Sequence, residues 1–169
     1  TDDLPGGDLL IHAGDIMNSG YDRYDIDDFC KWFDGQHKYD KKVFIAGNHD
    51  RAFENKQDQV KEILDGFPNL IYLEDEMFGL YSLDTDKSVK IYGSPWQPTF
   101  HNWAFNLPRN GKELQEKWDN IPDKVDILMC HTMPFGHLDV TDNLNVGCEL
   151  LRVKIDEIRP KIFVGGHIH

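Results

Sequence analysis

Short apolar runs in this chain repeatedly break off into clusters of metal-type side chains, and that recurrence constrains the fold more than any other feature. Leu9 to Ile11 leads into His-Ala-Gly-Asp, ending at Asp15. Val43 to Ala46 leads into Gly-Asn-His-Asp, Gly47 to Asp50. Val125 to Cys130 leads into His131, and Ile162 to Val164 into Gly-Gly-His-Ile-His, ending at His169. Runs rich in β-branched and aromatic residues read as strands. In α/β folds, ligands gather outside the carboxyl ends of strands, where loops present side chains on a rigid frame. The sequence places Asp15, Asn48, His49, Asp50, His131, His167 and His169 there.

Further strand candidates are Leu70 to Leu73 and Val89 to Tyr92. Helical spacing is expected over Ile26 to Phe33, Phe53 to Leu64, Lys112 to Trp118 and Leu150 to Ile158, the last stopped by Pro160. The alternation favours an α/β sandwich with helices packed outside a sheet. The 169 residues suit a single domain spanning 1–169. The stretch Gly93 to Asn110, rich in Pro, Trp and Phe and without either period, reads as a long ordered loop, a frequent location of function.

Composition removes several functional classes. Lys plus Arg is 18 against 30 Asp plus Glu, a net charge of −12, which repels phosphate backbones and argues against extended nucleic-acid binding. A small anionic substrate stays compatible with that charge, because divalent cations make one pocket locally positive. Apolar runs such as Val43 to Ala46 and Ile127 to Cys130 are far below the roughly 18 residues of a membrane span. Cys30, Cys130 and Cys148 form no CxxC pair. A disulfide framework is therefore not indicated, and a reducing, cytoplasmic setting is expected.

The ligand types point to chemistry. One carboxylate, one amide oxygen and several imidazoles suit manganese, iron or zinc better than calcium or an iron–sulfur cluster. A carboxylate such as Asp15 can bridge two cations roughly 3.5 to 4 Å apart. Gly47 permits close backbone approach, and Asn48 can offer its carbonyl oxygen to a metal. His49, one residue beyond, is placed to meet a substrate, with Asp50 orienting or charge-stabilising its imidazole. His167 and His169 alternate by two, so in extended geometry they point the same way and each can serve a different metal. His12, His37, His101 and His137 read as hydrogen-bonded or surface histidines, and Trp96, Trp103 and Phe105 as packing residues. Arg51 and Arg109 read as solvated charge. Cys130 faces away from its neighbour His131, which disfavours a thiol nucleophile.

The motifs AGD-x4-G at Ala13 to Gly20, GNHD at Gly47 to Asp50, His131 after a strand, and GHIH at Gly166 to His169 resemble the calcineurin-like metallophosphoesterase family. YGSPWQPTFHNWAFNLPR and GKELQEKWDNIPDKVDILMCHTMPFGHLD resemble its branch of metallophosphoesterase domain-containing proteins, and the resemblance covers essentially the whole chain. It implies a four-layer α/β/β/α sandwich with a binuclear centre, in which an activated hydroxide attacks the phosphorus of a phosphomonoester or phosphodiester in line. By the same resemblance Asp15 bridges two divalent metals, Asn48, His131 and His167 complete one site, and His169 belongs to the other. His49 protonates the leaving oxygen or steadies the transition state, with Asp50 behind it. Small phosphodiesters such as cyclic nucleotides are the expected substrates.

The family opens with an Asp-x-His motif on its first strand and continues beyond GHxH. Neither feature occurs here, so the chain reads as a partial domain truncated at both ends, with weak activity expected of it. The alternative from another class is a catalytically degenerate metal- or nucleotide-binding regulatory protein on the same fold. An interaction scaffold ranks behind both, because it leaves the ligand motifs unexplained.

Overall fold

The computed structural model describes residues 4–18, 20–82 and 86–168. One sheet is parallel and ordered β1-β2-β3, from β1 (Gly7–Ala13), β2 (Tyr39–Ile45) and β3 (Leu70–Tyr72). The other contains β4 (Glu76–Ser82), β5 (Lys87–Ser94), β8 (Ile127–Cys130) and β11 (Ile162–Gly165), ordered β11-β8-β5-β4, with β4 antiparallel to β5 and the rest parallel. Short ladders pair β6 (Gln97–Pro98) with β7 (Asn106–Leu107), and β9 (Val140–Thr141) with β10 (Leu144–Asn145).

Side-chain alternation along the central strands accounts for the layering, since successive residues face opposite sides of a sheet. In β2, Val43 and Ile45 enter one core with Ile91, Ile127 and Met129 of the other sheet. Phe44 points the other way, toward Ile26, Phe29, Phe33, Phe53, Val60 and Ile63. These come from α1 (Arg23–Asp34), α2 (Arg51–Asn55) and α3 (Gln57–Leu64). On the far side Tyr92, Leu128 and Cys130 pack with Leu114, Trp118 and Leu151, from α4 (Lys112–Asp119) and α5 (Glu149–Ile158). Three cores separate four layers, α/β/β/α. This double-sided burial is why β2 and β8 read as unbroken apolar runs rather than alternating ones.

Two local expectations are corrected. The helical spacing over Phe53 to Leu64 is interrupted at Lys56, whose φ of −135° leaves the helical region and separates α2 from α3. The strand Glu76–Ser82 is an element that the apolar runs do not announce. It lies at a sheet edge with Phe78 and Leu80 against the inter-sheet core, Met77 and Tyr81 exposed, and Gly79 between them. Among the described residues, no helix is long and apolar enough to cross a membrane.

Candidate metal centre

Because β1 and β2 run parallel with Ala13 opposite Ile45, and β8 and β11 run parallel with Cys130 opposite Gly165, the chain leaves each pair at one edge. The two edges meet. His131, immediately after β8, holds its Nδ1 2.8 Å from the Ala13 carbonyl of β1 in the other sheet. Gly166 donates its amide to His131 O at 3.0 Å, which brings the His167 turn alongside.

Asn48 Oδ1 lies 2.9 Å from His131 Nε2 and 2.8 Å from His167 Nδ1. Asp15 Oδ2 is 3.4 Å from the same His131 Nε2. Ligand atoms of Asp15, His131 and His167 all lie within 4.8 Å of one another. A carbonyl only accepts, so the Ala13 contact assigns the single ring proton of neutral His131 to Nδ1 and leaves a lone pair on Nε2. That lone pair, the Asn48 carbonyl oxygen and the Asp15 carboxylate then converge on one point, where His131 is 1% exposed. Acceptors meeting acceptors in a buried place is the arrangement that a cation reconciles. The donor set therefore fits a divalent metal, and the Ala13 carbonyl behind His131 is the orienting contact that such histidine ligands need.

Backbone shape at the site is tightly specified. Asp15 and His167 both occupy the left-handed region, with φ of 58° and 68°, which costs a non-glycine residue roughly 1–2 kcal/mol. Gly47 has no room for a side chain. A Cβ there would sit 2.4 Å from Asp15 Oδ1, 2.5 Å from Asp15 N and 2.5 Å from His131 Cε1. Gly47→Ala is expected to cost about 1–3 kcal/mol of stability and to weaken metal binding together with it. Thermal melts with and without Mn²⁺ check this, since a substitution outside the site would leave the metal-induced rise in Tm intact.

Electrostatics separates the two aspartates. Burial pushes the Asp15 carboxyl up, but the neighbouring His131 ring, together with the His49 amide and charge, outweighs burial and holds Asp15 below the ordinary carboxylate range. Asp50 is fully buried. Its carboxylate accepts from the amides of Gly47 at 2.7 Å, Met17 at 2.8 Å and Ile16 at 3.2 Å. Burial dominates there, and the carboxyl is pushed up to about 6. Asp50 thus stitches the Asp15 turn to the Gly47 turn through backbone bonds. The His49 imidazole is held elsewhere, by Nδ1 against the Asn18 carbonyl and by the Trp103 ring.

A cavity of about 370 Å³ opens over this cluster, with Asp15, Asn48, His49 and His167 at its polar end and Pro98, Phe100, Val146 and Ile168 among its walls. Part of its rim is fastened by Asp139, which is buried and accepts from Gly136 N and Gly147 N at 3.0 Å and from Asn145 Nδ2 at 2.6 Å. Burial pushes that carboxyl up, but those bonds win and its pKa falls below the ordinary value. A depressed carboxylate contributes stability that is present above its unfolded value, about 3.9, and is lost as pH falls through the lower folded value. The 136–147 segment is therefore expected to loosen only below about pH 3.9. The Gly136 and Gly147 amide signals followed by NMR would show it, and Asp139→Ala should reproduce the loosening at neutral pH.

Residues 2–169 match the family described as Calcineurin-like phosphoesterase. The chain belongs to the calcineurin-like phosphoesterase family. Within that family it is similar to Metallophosphoesterase domain-containing protein 1 of Homo sapiens, with 40% identity over 183 residues, covering 98% of this chain and 55% of that protein. It is 39% identical over 194 residues to UPF0046 protein T07D4.2 of Caenorhabditis elegans, covering 98% of this chain and 47% of that one. The chain spans about half the length of these relatives. The crystal structure of TT1561 of Thermus thermophilus shares this chain's fold, with a TM-score of 0.60 at 16% identity over 93% of this chain and 67% of that one. The resemblance drawn from the AGD, GNHD and GHIH motifs, and the sandwich expected from it, are borne out.

Asp15, Asn48, His131 and His167 come together in this chain, with His49 on the cavity beside them and Asp50 behind the turns. His169 lies outside the described residues. Residue reasoning missed Thr132, Phe100 and Arg109 as cavity walls. It also set Trp103 aside as packing, although this ring stacks on His49 with centroids 4.2 Å apart. Trp96 does pack, edge-on to Phe105 at 5.4 Å, and donates to Asp75 at 2.8 Å.

Proposed function

We propose that this protein hydrolyses phosphoric esters, diesters in preference to monoesters, at a divalent-metal centre held by Asp15, Asn48, His131 and His167, with Asp15 and His169 serving a second ion. The observation that carries the reading is the approach of Asn48 Oδ1 and Asp15 Oδ2 to the same ring nitrogen, Nε2, of the buried His131. Bound divalent cations polarise a phosphoryl oxygen and lower the pKa of a water molecule. The remaining work falls to side chains. His49 spends Nδ1 on the Asn18 carbonyl, so Nε2 is the ring nitrogen available to give a proton to the leaving oxygen.

The preference for diesters rests on charge. Among the described residues, Arg109 is the one Lys or Arg side chain in the cavity walls, and it already donates to Val146 O and Gly147 O at 2.7 Å and pairs with Glu149 at 2.8 Å. A monoanionic diester asks less of the cavity than a dianionic monoester does. The cavity volume of about 370 Å³ suits a small organic arm, and cyclic nucleotides fall in that class.

The test is to load the protein with Mn²⁺ and follow bis-p-nitrophenyl phosphate, p-nitrophenyl phosphate and a cyclic nucleotide. Turnover that is faster on diesters, stops with a chelator and returns with Mn²⁺ is the expected result. Tight Mn²⁺ binding with no product after long incubation would overturn hydrolysis in favour of a regulatory binding protein, and absence of Mn²⁺ binding would overturn the metal centre itself.

A further inference from the structure

We propose that Trp103 is a positioning residue for His49, fixing the imidazole by stacking so that Nε2 stays aimed into the cavity; this rests on the hydrolytic reading above. The two rings lie with centroids 4.2 Å apart and planes 29° from parallel, close to an offset stack. A ring has two ways to escape such a position, by rotation and by sliding, and the surroundings oppose both. At one end of His49 the Asn18 carbonyl accepts a hydrogen bond from Nδ1–H, which resists rotation. Sliding is resisted because Trp103 itself is held from several directions.

The guanidinium of Arg51 lies 4.9 Å from the Trp103 ring and donates to the Asn102 carbonyl next to it. Ala104 donates its amide to the Asn48 carbonyl at 2.9 Å, which ties the residue after Trp103 to the residue before His49. Asn106 then closes the loop. Its Nδ2 bonds to the carbonyls of Phe100, His101 and Trp103 at 3.0–3.2 Å, and its Oδ1 accepts from Gln97 and Phe100. An indole that serves only to cover a core does not need this framework.

The step that the ring placement serves is proton delivery. A water oxygen bonds to phosphorus and releases a proton to solvent, the ester P–O bond breaks, and His49, which must carry protons on both ring nitrogens to act, passes the Nε2 proton to the departing oxygen while Nδ1–H stays on the Asn18 carbonyl. Such help matters for an alkoxide, which leaves poorly without a proton, and little for p-nitrophenolate. A positioning role therefore has a signature that simple destabilisation lacks.

The experiment compares dibenzyl phosphate with bis-p-nitrophenyl phosphate on the Mn²⁺-loaded protein, for Trp103→Ala, Trp103→Phe, His49→Ala and the double variant. In Trp103→Ala the benzyl-to-nitrophenyl ratio of turnover should fall by about tenfold or more, against the 10²–10⁴-fold ordinarily supplied by a general acid. Trp103→Phe should restore most of the ratio, and the double variant should be no worse than His49→Ala alone, as expected of residues acting through one another. An equal loss on both esters, or additive losses in the double variant, would overturn the proposal. If the unaltered protein cleaves neither ester, hydrolysis fails as a reading while the positioning claim stays readable. The ¹⁵N shifts of His49 then report its tautomer. A fixed Nδ1–H form that becomes a mixture in Trp103→Ala supports positioning, and an unchanged form refutes it.

Discussion

His131→Ala is expected to remove tight metal binding and phosphoester hydrolysis together. The side chain is almost fully buried and joins three groups: the Ala13 carbonyl through Nδ1, and Asn48 Oδ1 and Asp15 Oδ2 through Nε2. Loss of a partner that merely orients a ligand typically costs 10- to 100-fold in metal affinity or activity, so loss of the ligand itself should exceed about 10²-fold in both. A second consequence is electrostatic. The contact with His131 opposes burial in setting the ionisation of Asp15, so the carboxylate left behind is harder to keep charged. Calorimetric titration with Mn²⁺ and turnover of bis-p-nitrophenyl phosphate measure the two losses, and circular dichroism verifies that the fold survives. Retention of full Mn²⁺ affinity would show that the ion sits somewhere other than this cluster.

The largest effect on stability is expected from Phe44→Ala. Phe44 is fully buried in β2, and its ring lies 5.3 Å from Phe29, 6.0 Å from Phe33, 6.2 Å from Phe53 and 5.3 Å from Tyr72. Truncation removes the residue that joins α1, α2 and the first sheet in one aromatic cluster. Buried Phe-to-Ala changes cost about 3–5 kcal/mol, and in a chain of this size each kcal/mol lowers Tm by about 2–4 °C. A fall of about 10 °C or more is expected by differential scanning calorimetry. At low temperature, where the variant remains folded, the Mn²⁺ site should still form, because Val43 and Ile45 anchor the other face of the same strand. A fall of less than about 3 °C would mean that the helical layer contributes little to cooperativity.

What the sequence made legible is local. Each metal-type cluster follows a strand within a few residues, and the strand is betrayed by apolar character on both faces, so Asp15, Asn48, His131 and His167 could be named from residue order alone. The edge strand Glu76–Ser82 escaped because one of its faces is exposed and Gly79 interrupts it. The break at Lys56 escaped because apolar spacing continues across it, from Phe53 to Val60 and Ile63, while only the backbone departs from helical geometry. Roles that depend on distant partners were not legible at all. The stacking of Trp103 on His49 and the commitment of Arg109 to the Val146 and Gly147 carbonyls join segments with no shared pattern. Asp50 is an intermediate case: its place beside the site could be read, but its bonds to Ile16, Met17 and Gly47 amides could not.

The candidate ligands lie across the seam between the two sheets, and they are drawn from nearly opposite ends of the chain. His131 meets the Ala13 carbonyl across 118 positions, and Asn48 meets His167 across 119. Closing loops of that length is entropically costly and late in folding. An ion that binds only after the two halves have met acts as a clasp, adding RT ln(1 + [L]/Kd), about 4 kcal/mol when the free ion is at 1,000 times its Kd. Metal affinity and sheet association then become one thermodynamic quantity observed from two sides, and chelation should loosen the whole sandwich rather than merely empty a pocket.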